Sequence, residues 1–189
     1  MMNAFKYLNV PVQEISEPSQ LDSVDSIVLP GVGSFPDSMD KINSLGILER
    51  LEKEVVEKGK PFLGICIGMQ VLASVGHEFK TEAGFNFISG KVVQINTTDF
   101  GLRLPHIGWN ECNIHRKCSL FEEFQEPPVF YFVHSFHFQP DSEHHIVATC
   151  EYGQEIISAI QKDNMFGVQF HPEKSQRDGL KLLSNFSKL

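Results

Sequence analysis

Residues 62–70 read FLGICIGMQ, an apolar run that carries one cysteine, Cys66, with glycines two positions before and two positions after it. A thiol in a G-x-nucleophile-x-G setting fits an elbow, in which a sharp strand-to-helix turn lifts one side chain out of the backbone and small neighbours leave room for the bend. A helix starting just after the thiol would favour its reactive thiolate form. A cysteine in an apolar run can also serve simply as a small core residue, and the paired glycines are what argue against that here.

A nucleophilic thiol needs a base, and the base needs a group to orient it. The stretch QFHPEKS offers both in His171 and Glu173. Pro172 fixes its own φ and pushes His171 into extended geometry, so the two side chains fall on one side, with the carboxylate able to steady the imidazole. A third stretch, LPGVGSF at residues 29–35, ends an apolar strand in Gly31-Val32-Gly33. Backbone N–H groups in such a loop, together with that of Ile67, suit an oxyanion. Each of the three stretches closes a predicted strand, and the carboxyl edge of an open parallel sheet is where sites collect.

Taken together, GICIGMQ, GVQFHPEKS and LPGVGSF resemble the class I (triad) glutamine amidotransferases. PHIGWN (105–110) and YFVHSF (131–136) narrow the resemblance to the glutaminase subunits of imidazole glycerol phosphate synthase and their close paralogues. The resemblance implies that Cys66 attacks the glutamine amide to form a thioester, that His171 moves the proton and that Glu173 orients His171. It also implies that backbone amides of Gly31, Gly33 and Ile67 surround the oxyanion, and that Gln70, Ser135 and Phe136 hold the glutamine. No metal or organic cofactor is expected. The implied partner is a TIM-barrel synthase (cyclase) subunit, joined in a heterodimer with an ammonia channel and facing the site rim near Lys174 and the Tyr131–Phe136 strand.

The elements that must position these residues follow from the hydrophobic pattern. The first half alternates strand and helix: MMNAFKYLNV as helix, PVQEI as a short strand, DSIVLPG as a strand, ILERLEKEVVEKG as an amphipathic helix closed by Gly59, PFLGI as a strand and then a helix from Gly68. That order predicts an α/β fold with an open, mostly parallel, flavodoxin-like sheet flanked by helices. The second half (GKVVQI, HIGWNEC, VFYFVHSFHF, HIVATCEY, EIISAIQ, MFGVQF) reads as short strands, an antiparallel extension of the same sheet, with DGLKLLSNFSK as a closing helix. The resemblance implies one further strand and a Gly-Asn turn ahead of the opening helix, lying between PVQEI and DSIVLPG. The chain shows neither, and lower stability is expected from that.

Composition bounds the rest. The 189 residues, 41% of them hydrophobic, suit a single domain over 1–189. A net charge of −8 without a basic cluster argues against nucleic acid or an anionic membrane as partner. Nothing resembles a signal peptide or a bilayer-spanning run, so a cytoplasmic protein with reduced cysteines is expected. Cys112, His115 and Cys118 have a metal-like spacing but no evident fourth ligand, and are read as structural, as are His134 and His137. Three alternatives stay open: a paralogous subunit that aminates a surface sugar, a silent regulatory module on this fold, and a cysteine hydrolase of another substrate.

Overall fold

The computed structural model describes residues 1–189. The helices are α1 (Met2–Tyr7), α2 (Phe35–Ser44), α3 (Leu48–Glu52), α4 (Ile67–Gln70) and α5 (Gln176–Phe186). The strands are β1 (Ile27–Gly31), β2 (Phe62–Cys66), β3 (Val75–Gly76), β4 (Glu82–Ala83), β5 (Gly90–Gln94), β6 (His106–Glu111), β7 (Asn113–Ile114), β8 (Val129–His134), β9 (Phe136–Pro140), β10 (Ile146–Tyr152), β11 (Gln154–Lys162) and β12 (Met165–Val168).

The central sheet has the order β1-β2-β12-β11-β10-β7. β2 pairs in parallel with β1 on one side and β12 on the other, and from β12 onward the pairing is antiparallel. The α/β architecture with a parallel part and an antiparallel extension is as expected. β2 lies between two strands and under both faces, which is why FLGIC is buried at every position. Its period of two divides the interior: Leu63 and Ile65 join one apolar cluster with Phe166, Val168 and Phe186, while Phe62 joins the other with Phe35, Met39 and Met165.

Beyond this sheet, part of the C-terminal half folds away from it. A four-stranded sheet, β4-β3-β5-β9, and a separate β6–β8 ribbon stand apart in their pairing. VFYFVHSFHF, read as one strand, is therefore two strands in different sheets, broken at Ser135. The break is held by the His134 Nδ1–H bond to the Phe136 carbonyl and by Ile95 N–H donating to the Ser135 carbonyl.

Two local expectations need correction. PVQEI carries no ladder, because no strand runs beside it to pair with, and β1 forms the edge of the central sheet. The helix expected from Gly68 begins one residue earlier and stops after a single turn at Gln70. So short a helix has almost no macrodipole, and what it offers an anion is the unpaired N–H of its first residues.

Candidate active site

Cys66 ends β2 and caps α4 with φ 55° and ψ −111°, a conformation that is strained for a residue with a side chain. The strain is held by close packing. A Cβ on Gly64 would lie 2.3 Å from the Gly68 carbonyl oxygen, and one on Gly68 would lie 1.9 Å from that of Leu29. The two glycines that flag the elbow in the sequence are thus the points where the backbone doubles back on itself and presses against β1.

The parallel register sets Gly31 directly across from Cys66. After Gly31 the chain leaves the ladder, and the N–H groups of Val32 and Gly33 donate no backbone hydrogen bond. Ser34 anchors the far end of this loop by capping α2: its Oγ accepts from Asp37 N–H and donates to the Asp37 carboxylate. Glu78 accepts from Phe35 N–H at 2.7 Å at the same helix end. The SF that closes LPGVGSF is a helix start, and it fixes the loop from behind.

His171 follows β12 and is 2% exposed. Its backbone N–H donates to the Tyr131 carbonyl, and its carbonyl accepts from Ser175 Oγ, whose oxygen in turn accepts from Tyr131 N–H. Its Nδ1 pairs with Glu173 Oε1 at 2.8 Å, but not along the extended run expected: only His171 is extended, and Pro172–Lys174 form a 3-10 turn, begun by the fixed φ of Pro172, that brings the carboxylate back to the ring. Nε2, on the other side of the ring, is buried with no partner at hydrogen-bond geometry. Burial alone would depress the His171 pKa, but nearby Cys66 and Glu173 outweigh it and carry the imidazole to about 9. The same balance runs in Glu173, where burial pushes the carboxyl up and the His171 contact brings it below its ordinary value.

These pieces meet in a cleft of about 410 Å³ lined by Val32, Gly33, Cys66, Ile67, Gln70, Ser135, Phe136 and His171, with Glu78, Pro105, Val133, His134 and Lys174 completing its wall. Gly31 sits behind it in the ladder. Every residue singled out from the sequence for this site is therefore at the cleft or adjoins it. Gln70 Nε2 spends both hydrogens on protein, one on the Phe136 carbonyl at 2.9 Å and one on Gln169 Oε1 at 3.0 Å. What Gln70 can offer a ligand is its carbonyl oxygen.

Three participants carry no mark in the sequence pattern. Ser175 and Glu78 act through backbone groups far along the chain. Gln169, fully buried, places Nε2 3.7 Å from Cys66 Sγ. Its only sequence signal is a polar residue at the inward end of an apolar strand. Cys112, His115 and Cys118 are not gathered into a cluster. Cys112 lies in the core with its thiol pushed up to about 12 by burial, and His115 Nε2 pairs with Thr149 Oγ1. No helix is long and apolar enough to cross a membrane.

Comparison with known proteins gives the family. The family model described as glutamine amidotransferase class-I matches residues 3–188. The chain is 42% identical to imidazole glycerol phosphate synthase subunit HisH of Pelagibacter ubique, covering 100% of this chain and 93% of that one. It is 39% identical to the HisH protein of Moorella thermoacetica, which carries the same name, over 100% of this chain and 88% of the relative. Among solved structures, a glutamine amidotransferase superposes with a TM-score of 0.74 at 17% identity, covering 99% of this chain and 92% of its own. Another glutamine amidotransferase, from Thermotoga maritima, gives 0.68 at 19% identity, over 98% of this chain and 89% of its own. The elbow, the Gly31–Gly33 loop and the His–Glu pair thus sit on the fold those structures share, and the chain belongs to the class-I glutamine amidotransferases.

Proposed function

We propose that Cys66, His171 and Glu173 are the catalytic triad with which this chain, the glutaminase subunit of an imidazole glycerol phosphate synthase in histidine biosynthesis, hydrolyses glutamine to glutamate and ammonia. The observation that carries the reading is the convergence, in one cleft, of a strained cysteine with a histidine whose Nε2 is buried and unpartnered while its Nδ1 is held by a carboxylate.

The chemistry follows from the positions. Cys66 Sγ attacks the side-chain amide carbon of glutamine, and the carbonyl oxygen takes the negative charge. Backbone N–H groups of the Gly31–Gly33 loop and of Ile67 receive it. His171 Nε2 passes a proton to the departing nitrogen, which leaves as ammonia, and a thioester remains on Cys66. Water then attacks the thioester with His171 taking its proton, and the proton returns to the sulfur as glutamate leaves. Glu173 keeps Nδ1 protonated throughout, so that Nε2 faces the sulfur. Ser135, Phe136 and the Gln70 carbonyl oxygen hold the substrate.

The partner is a TIM-barrel synthase that takes the ammonia through a channel, with residues 1–189 acting as one domain. The HisH relatives support this acceptor over a surface sugar. A silent module has no chemical need for an assembled triad, and a hydrolase of another substrate has none for the amide-fitted wall at Gln70, Ser135 and Phe136. The test is mutation and labelling. Cys66→Ala is expected to abolish glutamate release, and a glutamine-analogue electrophile is expected to label Cys66 alone. Cys112, Cys118 and Cys150 are buried, and burial raises the pKa of all three. Inactivation in step with labelling at any of those three would sink the triad.

A further inference from the structure

The carbonyl oxygen of Phe136 can only accept hydrogen bonds, and it has two donors. One is Gln70 Nε2 at 2.9 Å, and the other is His134 Nδ1 at 2.8 Å. That single carbonyl sets the direction of everything attached to it. On one side, His134 must carry its proton on Nδ1, so its Nε2 accepts from His106 Nδ1 at 3.1 Å, and His106 Nε2 is left to accept from Asn110 Nδ2. On the other side, Gln70 must point its NH₂ at Phe136, and the remaining hydrogen of that group meets Gln169 Oε1 at 3.0 Å. An amide whose oxygen is committed to Gln70 presents its NH₂ on the far side, and there the Gln169 Nε2 meets Cys66 Sγ at 3.7 Å. Turning Gln169 over would set its NH₂ against that of Gln70. Turning both over would set two oxygens face to face at Phe136. The polarity of the chain is therefore not a free choice.

We propose that Gln169 is a further catalytic residue, a side-chain N–H donor to the Cys66 sulfur whose direction is imposed by the Phe136 carbonyl through Gln70. The inference rests on Cys66 being the nucleophile. A donor aimed at sulfur stabilises the thiolate over the thiol, because hydrogen bonds to a charged acceptor are the stronger ones. It does so in a pocket where Gln169 is fully buried and no solvent competes. It also links the substrate wall to the nucleophile, because Phe136 and Gln70 lie in the cleft and hold the amide that touches the sulfur.

The experiment reads the sulfur directly. The rate of Cys66 alkylation by iodoacetamide, followed by mass spectrometry across a pH series, reports the midpoint of the thiol. Gln169→Met keeps the length and apolar packing and removes the donor. The groups that titrate around the sulfur are His171 and Glu173 after β12, with Glu78, His134 and Lys174 in the cleft wall, and all are retained in the variant. The midpoint is expected to rise by roughly one to two pH units, and kcat to fall roughly 10- to 100-fold with a smaller change in KM for glutamine.

A second measurement uses the unaltered protein. The Gln169 side-chain NH₂ resonances are expected to shift through the same midpoint as alkylation, and to stop shifting in Cys66→Ser. Coincident alkylation profiles for the two proteins, or Gln169 resonances that ignore the thiol midpoint, would overturn the assignment. Alkylation of Cys66 that leaves glutamine hydrolysis intact would overturn the triad as well, which separates the two failures.

Discussion

His171 is pulled in two directions, and the outcome fixes how the reaction should depend on pH. Burial works against the imidazolium, while Cys66 and Glu173 favour it and win, holding the group near 9. At neutral pH the ring therefore keeps its proton, the one that the proposed reaction gives to the leaving ammonia. The expected kcat/KM profile has an upper limb with its midpoint near pH 9, falling as the ring loses its proton. Glu173→Gln removes one of the influences that raise the pKa, so that limb should move to lower pH, with a smaller loss of rate than in His171→Ala. A limb that stays in place in Glu173→Gln would show that the carboxylate does not act on the ring. The stability linkage has a definite sign too. A folded pKa above the unfolded value of about 6.5 gives stabilisation that is present below that value and lost as pH rises through the folded pKa. Urea melts of wild type and His171→Gln should therefore draw closer together as pH is raised from about 7 to about 10. A gap that widened over that range would reverse the assignment of charge to the ring.

Strand-to-helix elbows are governed by backbone clearance, and here the clearance has been used up. A methyl group at Gly68 would strike the Leu29 carbonyl, and one at Gly64 the Gly68 carbonyl, both backbone atoms that cannot swing aside. Gly64→Ala and Gly68→Ala should each cost about 1–3 kcal/mol in chemical denaturation, the usual range for overpacking. Gly33→Ala meets nothing within 4 Å and is strained only by its φ of 115°, so it should lower glutaminase rate more than stability. Equal melts for all three variants would show that the elbow has slack. These glycines also explain what is legible in the sequence. The thiol, its turn and the pairing of His171 with Glu173 are set by constraints a few residues long, steric room at two glycines and the fixed φ of one proline, although that proline starts a 3-10 turn where an extended run was expected. PVQEI and the helix after Cys66 differ from expectation because a strand exists only if something lies beside it, and α4 ends where the chain turns into the β3–β5 sheet. The break at Ser135 and the role of Gln169 depend on partners dozens of residues away, such as Ile95, Gln70 and Cys66. No local pattern announces them.

On the scale of the molecule, the cleft opens beside an apolar surface with no cover in the chain itself. Val32 is 80% exposed at the cleft, and on β6 Ile107 and Trp109, two residues apart and so on one face, are 58% and 49% exposed. Trp109 stands edge-on to Tyr131, and the Lys174 ammonium lies 5.8 Å from the centre of the Tyr131 ring, so this face runs back to the cleft wall. Exposed aromatic and aliphatic groups around a site are the usual anchors of a partner, and Trp109→Ala should weaken association with the synthase without lowering the melting temperature of the isolated chain. Ammonia released to water at neutral pH is mostly protonated and no longer nucleophilic, so hydrolysis is productive only inside a closed complex. The Gly31–Gly33 loop is the point where control by the proposed partner is expected, because the Val32 and Gly33 N–H groups donate no backbone hydrogen bond and Val32 is exposed at the cleft. Glutamate release by the chain alone is expected to be weak, and to rise at least about tenfold when the partner and its acceptor substrate are bound, since one well-aimed oxyanion donor is worth roughly 10²–10³ in rate. Amide-¹⁵N glutamine supplied to the complex in excess unlabelled ammonium should then place ¹⁵N in the product. Full activity without the partner, or product nitrogen drawn from the bulk ammonium, would leave a stand-alone glutaminase and no channel.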